Sequence, residues 1–342
     1  MTMTRRVILD TDPGIDDALA ILLALASPEV ELAAVSVTGG NCPMDAGVRN
    51  ALAVLALAHR TDVPVCPGVA VPLLRPPYTA PETHGLAGLG YATPPPGPVP
   101  AATEHAVDML IREILAHPGE VTLVAVAPLT NVALALRREP RIAGAVREVI
   151  VMGGAARADG NTTSLAEFNF YVDPHAAHIV LESGMPLTIL PWDVTSGVML
   201  TGDDVARLLR SPSPITSFIA DATRFYLEFH LKAFGYAGCS INDPVALAMV
   251  FAPDLVTCVP AHLAIETQSE LTMGKTVISY VGSPDGIPDE QDIPAFDTRA
   301  IPPRWRKAWR PAPNVRLVTA CDSRRFVELF CGRIEALVAR GH

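Results

Sequence analysis

Asp10, Asp12, Asp16 and Asp17 place four carboxylates within eight residues of one another near the start of the chain. Charges of one sign crowded this way repel unless something positive sits among them. A helix N-terminus supplies about half a positive charge, and a hard divalent cation would supply the rest. Ca²⁺ takes roughly six to eight oxygen ligands in irregular geometry, whereas Mg²⁺ demands an octahedron and usually keeps several waters. Successive helix residues point about 100° apart. Asp16 and Asp17 are therefore expected to serve different partners, one a metal and the other a ligand. The plain alternative for this pair is an acidic first helical turn.

The elements around these residues explain why they would meet. Val7-Ile8-Leu9 is a short apolar run of the kind that forms a buried strand. Pro13-Gly14 turns the chain, and Ala18–Ala26 is a run of good helix formers stopped by Ser27-Pro28. The carboxylates thus flank a strand-to-helix turn, where ligands bind in open α/β sheets. The same rhythm recurs. Strand-like runs cover Leu32–Thr38, Val63–Val65, Val121–Val126, Glu148–Met152, Pro186–Trp192 and Asn314–Ala320. Helical stretches are expected over 45–58, 104–116, Pro214 to Leu231, Asp243–Val250 and Arg324–Val338, with 200–250 helical throughout. Strand, polar or glycine loop, helix, repeated, predicts an α/β domain with a mostly parallel open sheet and helices on both faces. No repeat or composition break divides residues 1–342.

Asp10-Thr-Asp-Pro-Gly-Ile-Asp-Asp17 resembles the N-terminal signature of the nucleoside hydrolases, the calcium-dependent N-ribohydrolases of inosine–uridine-preferring type. The resemblance implies a Rossmann-like core and hydrolysis of the N-glycosidic bond of a ribonucleoside by a Ca²⁺-bound water. It implies Asp12, Asp17, the main-chain carbonyl of Val126 and Asp243 as Ca²⁺ ligands, with Asp12 also the general base. The family usually carries Thr where Val126 stands, a change without consequence for a backbone ligand. Asp16, Asn41, Asn161, Glu167 and Asn169 match positions that face the ribose. His84, in His-Gly-x-x-Gly, matches a histidine near the nucleobase. Tyr226, Phe229 and His230 fall on the helix that would flank the base, and aromatic faces there suit stacking; for Phe229 a core-facing stripe is the expected role. Asn242 departs from the pattern. Many members carry histidine there as proton donor to the leaving base, and an amide cannot deliver a proton. Asn242 is nonetheless the expected occupant of that catalytic position, and His230 a rival donor. A homodimer or homotetramer is implied as well.

Composition narrows the alternatives. The chain has 342 residues, 49% hydrophobic and 18% charged, long enough for a substantial core. A net charge of −10 argues against a nucleic-acid surface. The apolar runs at 18–26 and 51–58 are too short for a membrane span. Met1–Arg6 leaves no room for a signal peptide, and the six cysteines show no C-x-x-C spacing, so a cytoplasmic address is expected. His175 and His178, one turn apart, read as a solvated helix face. Residues 281–312 look like a loop insertion in a hairpin connection, either a solvated loop or a subunit contact carrying Trp305 and Trp309. A phosphatase of haloacid dehalogenase type would use Asp10 as nucleophile. It would also need a lysine followed by an acidic pair, and Lys232, Lys275 and Lys307, the only lysines, lack one. A non-catalytic nucleoside-binding protein rests on Asn242 alone. No G-x-G-x-x-G follows the first strand, which argues against a dinucleotide site.

Overall fold

The computed structural model describes residues 4–280 and 312–341. Nine strands form one sheet: β1 Arg5–Thr11, β2 Val30–Val37, β3 Val65–Pro67, β4 Val121–Ala125, β5 Glu148–Met152, β6 Leu187–Leu190, and, at one side, β9 Val256–Ile265, β10 Thr276–Tyr280 and β11 Val315–Cys321. Their order is β10-β9-β11-β6-β5-β4-β1-β2-β3. From β11 to β3 every neighbour is parallel; β9 pairs antiparallel with β10 and β11. The expected mostly parallel sheet is present, closed at one edge by an antiparallel pair. Residues 281–311, most of the expected insertion, and both of its tryptophans lie outside the described residues.

Alternation along β1 builds the two faces. Val7 and Leu9 enter one core cluster with the helices Ile15–Ala26, Met44–Leu57, Pro214–Phe234 and Ser323–Ala339. Ile8 enters the other, with helices Ala106–Ala116, Thr130–Arg138 and Pro174–Leu181. The helix Ile15–Ala26 is buried along its whole length, which is why it is apolar all round after its first turn. Its neighbour across the core is the short helix Asn242–Ala248, likewise buried throughout. Region 200–250 is not wholly helical as expected. Met199–Thr201 (β7) and Gly238–Ser240 (β8) pair antiparallel as a small second sheet. That pairing spans about forty residues of chain, which local periodicity does not reveal. It also fixes the approach of Asn242 and Asp243. Among the described residues no helix is long and apolar enough to cross a membrane.

Chain order along the sheet reverses at β1, whose neighbours are β4 and β2. This is the switch point where the carboxyl ends of strands open a crevice. Asp10, at the end of β1, is tied beneath it. Its Oδ1 accepts from Ser36 Oγ at 2.5 Å and from Asn131 Nδ2 at 2.9 Å. Asn131 also donates to the carbonyl of Val37 and accepts from the amide of Val69, joining β1, β2 and the loop after β3. Burial holds the Asp10 carboxyl up at about 6. Asp10 thus buttresses the turn. Asn131→Ala removes these bonds at a fully buried position. It should lower unfolding free energy by about 1–3 kcal/mol, read as a shifted urea midpoint; an unchanged midpoint would contradict the tie.

Candidate active site

The turn after β1 places its carboxylates by backbone hydrogen bonding. Asp17, in the first turn of the helix Ile15–Ala26, accepts from the Gly14 amide at 2.9 Å and the Asp12 amide at 3.2 Å. It also accepts from Asn41 Nδ2 at 2.9 Å and from the Thr11 hydroxyl. Asp12 Oδ2 accepts from the Asn41 amide at 2.6 Å, while its Oδ1 is buried with no partner. Gly40 makes this approach possible: a Cβ there would lie 1.9 Å from Asp12 Oδ2. Asp243 arrives from the opposite side, on the helix Asn242–Ala248.

Carboxylate oxygens of Asp16, Asp17 and Asp243 lie within 4.8 Å of one another, all buried. Asp16 and Asp17 are thus close enough to share a cation, although the sequence suggested separate partners for them. Both lie in the first turn of one buried helix, and Asp243 approaches them from the helix Asn242–Ala248. Asp12 stands beside this trio and not within it. At an effective dielectric constant of about 20, two charges at that separation repel by roughly 3 kcal/mol or more. Three such pairs approach the whole stability of a typical domain, about 5–15 kcal/mol. Burial, then the neighbouring carboxylates, push Asp12, Asp17 and Asp243 above the usual carboxylate range. Burial also raises Asp16, against bonds from Asn242 and Tyr226. Among the described residues no lysine or arginine lines the cavity beside them. The buried lone oxygen of Asp12, the converging trio and the all-oxygen donor set fit a hard divalent cation. The Val126 carbonyl, which lines the same cavity, accepts from Asn169 Nδ2 at 3.0 Å and keeps a second lone pair.

Above the carboxylates lies a cavity of about 340 Å³, within the range of small-molecule sites. Of the residues singled out in the sequence, Asp16, Asn41, His84, Val126, Asn161, Glu167, Asn169, Tyr226, His230, Asn242 and Asp243 line it. Asp12 and Asp17 do not, and sit against it from below. Phe229 lines it as well, although a core-facing role was expected; it does both, being partly buried against the core. Tyr78, Phe168, Trp192 and Phe234 add aromatic side chains to the wall and were not anticipated. Phe168 and Trp192 had a readable signal, one beside Glu167 and the other just after the end of β6. His175 and His178 stay out of the site.

Each polar side chain is held in a definite state. Glu167 accepts from the amides of Gly154, Asn169 and Phe170, yet burial raises it to about 7. Asn161 Oδ1 accepts from the Phe168 amide. Its loop is anchored by Asp193, which accepts from the amides of Ala156, Arg157 and Ala158. His84 Nδ1 accepts from the Ile15 amide at 3.2 Å, so the neutral ring carries its proton on Nε2. His230 Nδ1 lies 2.9 Å from the Tyr226 carbonyl, an acceptor, so its proton sits on Nδ1. Burial lowers both histidines to about 4, leaving them neutral near pH 7. Asn242 Nδ2 donates to Asp16 Oδ2 at 2.8 Å, and Tyr226 Oη does so at 3.4 Å.

The chain is similar to known nucleoside hydrolases in sequence and fold. A family model described as inosine–uridine-preferring nucleoside hydrolase matches residues 7–328. The pyrimidine-specific ribonucleoside hydrolase RihA of Citrobacter koseri is 40% identical over 280 residues, 81% of this chain and 89% of that one. A purine-preferring ribonucleoside hydrolase from Gardnerella vaginalis superposes with a TM-score of 0.86 at 31% identity, covering 98% of this chain and 100% of that one. The plant nucleoside hydrolase PpNRh1 gives 0.85 at 31% identity over 96% and 98%.

The crowding of carboxylates carries a prediction whose sign depends on the cation. In chelator, Asp243→Asn should be more stable than the wild type, because it relieves repulsion within the trio. In excess Ca²⁺ the order should reverse, since a cation at 100-fold its Kd adds about 2.7 kcal/mol to the wild type. Thermal melts in both conditions read this; the same order in both would refute a shared cation.

Proposed function

The chain belongs to the inosine–uridine-preferring nucleoside hydrolase family and hydrolyses the N-glycosidic bond of ribonucleosides; from that premise we propose how this site does it. Asp12, Asp17, Asp243 and the Val126 carbonyl would hold one Ca²⁺, with Asp16 drawn in from the cavity side. Calcium is favoured over magnesium because the donor set is irregular and supplied mostly by the protein. Bound there, the cation would supply positive charge that acidifies water and engages ribose hydroxyls. The single observation carrying the reading is the buried, unpartnered Asp12 Oδ1 beside three converging carboxylates.

Cleavage of a ribosyl bond passes through an oxocarbenium-like transition state, with water delivered to the face opposite the base. Asp12 acts as general base toward the attacking water, and the Asn41 amide holds its carboxylate in place. Asp16, Asn41, Asn161, Glu167 and Asn169 bind and orient the ribose hydroxyls. Tyr226 and His84, with ring centroids 5.4 Å apart, flank the base. Asn242 positions Asp16 and delivers no proton. His230 is no substitute acid, since its one proton is committed to the Tyr226 carbonyl and burial keeps the ring neutral. A cytoplasmic homodimer or homotetramer belongs to the same proposal, supported by the resemblance and by six unpaired cysteines.

Ribose release from a nucleoside panel tests this. A site built to hydrogen-bond a hydroxyl rejects the analogue lacking it by roughly 10⁴-fold, so 2′-deoxyribonucleosides should be cleaved that much more slowly by kcat/KM. Comparable values would contradict the ribose assignment.

The absence of an acid gives a second expectation. General acid catalysis is worth roughly 10²–10⁴-fold, and a nitrophenyl leaving group needs none. The wild-type protein should therefore turn over nitrophenyl riboside faster than inosine or uridine by a factor in that range. Similar rates would mean that another group protonates the base.

A further inference from the structure

Residues 153–167 join β5 to the short helix Phe168–Val172 without helix or strand, and Asn161 and Thr162 from this segment line the cavity. A side chain on an irregular segment keeps its place only as well as the backbone beneath it is held. Here three consecutive amides are held by one group. Asp193 Oδ2 accepts from Ala156 at 2.7 Å, and its Oδ1 accepts from Arg157 at 2.5 Å and from Ala158 at 2.8 Å. Bonds to an ionised acceptor are roughly twice as strong as neutral ones. Asp193 sits in the helix Trp192–Thr195, just after β6, and the Trp192 amide donates to the Gly154 carbonyl at 2.8 Å. The segment is thereby fastened to the sheet shortly before Asn161. Asp193 itself does not line the cavity. Glu167 and Asn169 are held by other means: Glu167 by the amides of Gly154, Asn169 and Phe170, and Asn169 by the carbonyls of Val126 and Met152. The Asn161 side chain has one backbone tie of its own, from the Phe168 amide at 2.9 Å.

We infer that Asp193 is a positioning residue for glycosidic cleavage: it holds the backbone of residues 156–158 so that Asn161 meets the ribose, and it touches no substrate. This rests on the ribohydrolase reading above and names the group through which one of its sugar contacts acts. Removing the carboxylate frees three N–H groups at once and lets the segment take other paths. Glu167, Asn169 and the carboxylate cluster keep their own ties, so the loss falls on Asn161.

A double-mutant cycle tests it, with kcat/KM for a nucleoside measured in excess Ca²⁺ for Asp193→Ala, Asn161→Ala and the two together. Each single change should lower kcat/KM by roughly tenfold or more, as the loss of one hydrogen bond to the sugar would. Because Asp193 acts through Asn161, the double variant should be no slower than the slower single one. Asn41→Ala, across the cavity and without a shared partner, should instead multiply with Asp193→Ala. Factors for Asp193→Ala and Asn161→Ala that multiply in full would overturn the inference, as would wild-type kcat/KM in Asp193→Ala. Asp193→Asn keeps one acceptor oxygen and should fall between the wild type and Asp193→Ala; it carries the same cycle if the alanine variant does not fold. If the wild type cleaves no nucleoside, it is the ribohydrolase reading that fails. Amide hydrogen exchange across residues 155–162 then decides the hold itself: it should quicken by roughly tenfold or more in Asp193→Asn, and unchanged exchange would overturn the inference.

Discussion

Mutual repulsion among buried carboxylates is the constraint on which the rest of this structure depends. Asp16, Asp17 and Asp243 converge with Asp12 beside them, away from water and, among the described residues, without a lysine or arginine in the cavity wall. Such an arrangement persists only if the surrounding fold over-determines it. The surroundings do so at several levels. Thr11, Gly14, Asn41 and the Asp12 amide orient Asp17. Asn131 and Ser36 anchor Asp10 one layer below. The fully buried helix Ile15–Ala26 directs its N-terminal amides at the cluster. A divalent cation converts the same repulsion into coordination, which explains why a fold would retain it.

The cavity above that cluster divides by chemistry. Toward the strand ends it is lined by carboxylates and amides, suited to hydroxyl groups. Toward the helix Pro214–Phe234 it is aromatic, with Tyr226, Phe229, His230 and Phe234 in the wall. Asn242 and Asp16 stand where the two halves meet, bonded to each other. A change at Asn242 therefore touches sugar and base together, which separates its effects from those of residues deeper in the acidic turn.

Much of this was legible in the sequence, and what was not has a physical cause. The turn Asp10–Asp17 is a local motif, and its strand, break and helix follow from residue order alone. The end of β5 at Met152 and the start of the helix at Pro214 are equally local. The pairing of β7 with β8 was missed because both strands are three residues long and meet across a helical region. The third strand is displaced from Val63–Val65 to Val65–Pro67, since its register is set by β2 and not by its own apolar run. That Asp16, given to the sugar by the resemblance, lies within 4.8 Å of Asp17 and Asp243 could not be read locally, since Asp243 arrives from a distant segment of the chain. The sequence also shows Asn242 as a missing acid; that its amide donates to Asp16 at 2.8 Å is visible only in the folded chain.

The central claim is that one divalent cation completes the buried carboxylate cluster and is required for ribose release. Stoichiometric titration tests it most directly: protein stripped of metal is titrated with Ca²⁺ while bound metal and ribose release from a nucleoside are measured together. Activity should rise from background and saturate at one bound ion per chain. Full ribose release by stripped protein, or activity that does not track occupancy of a single site, would contradict it.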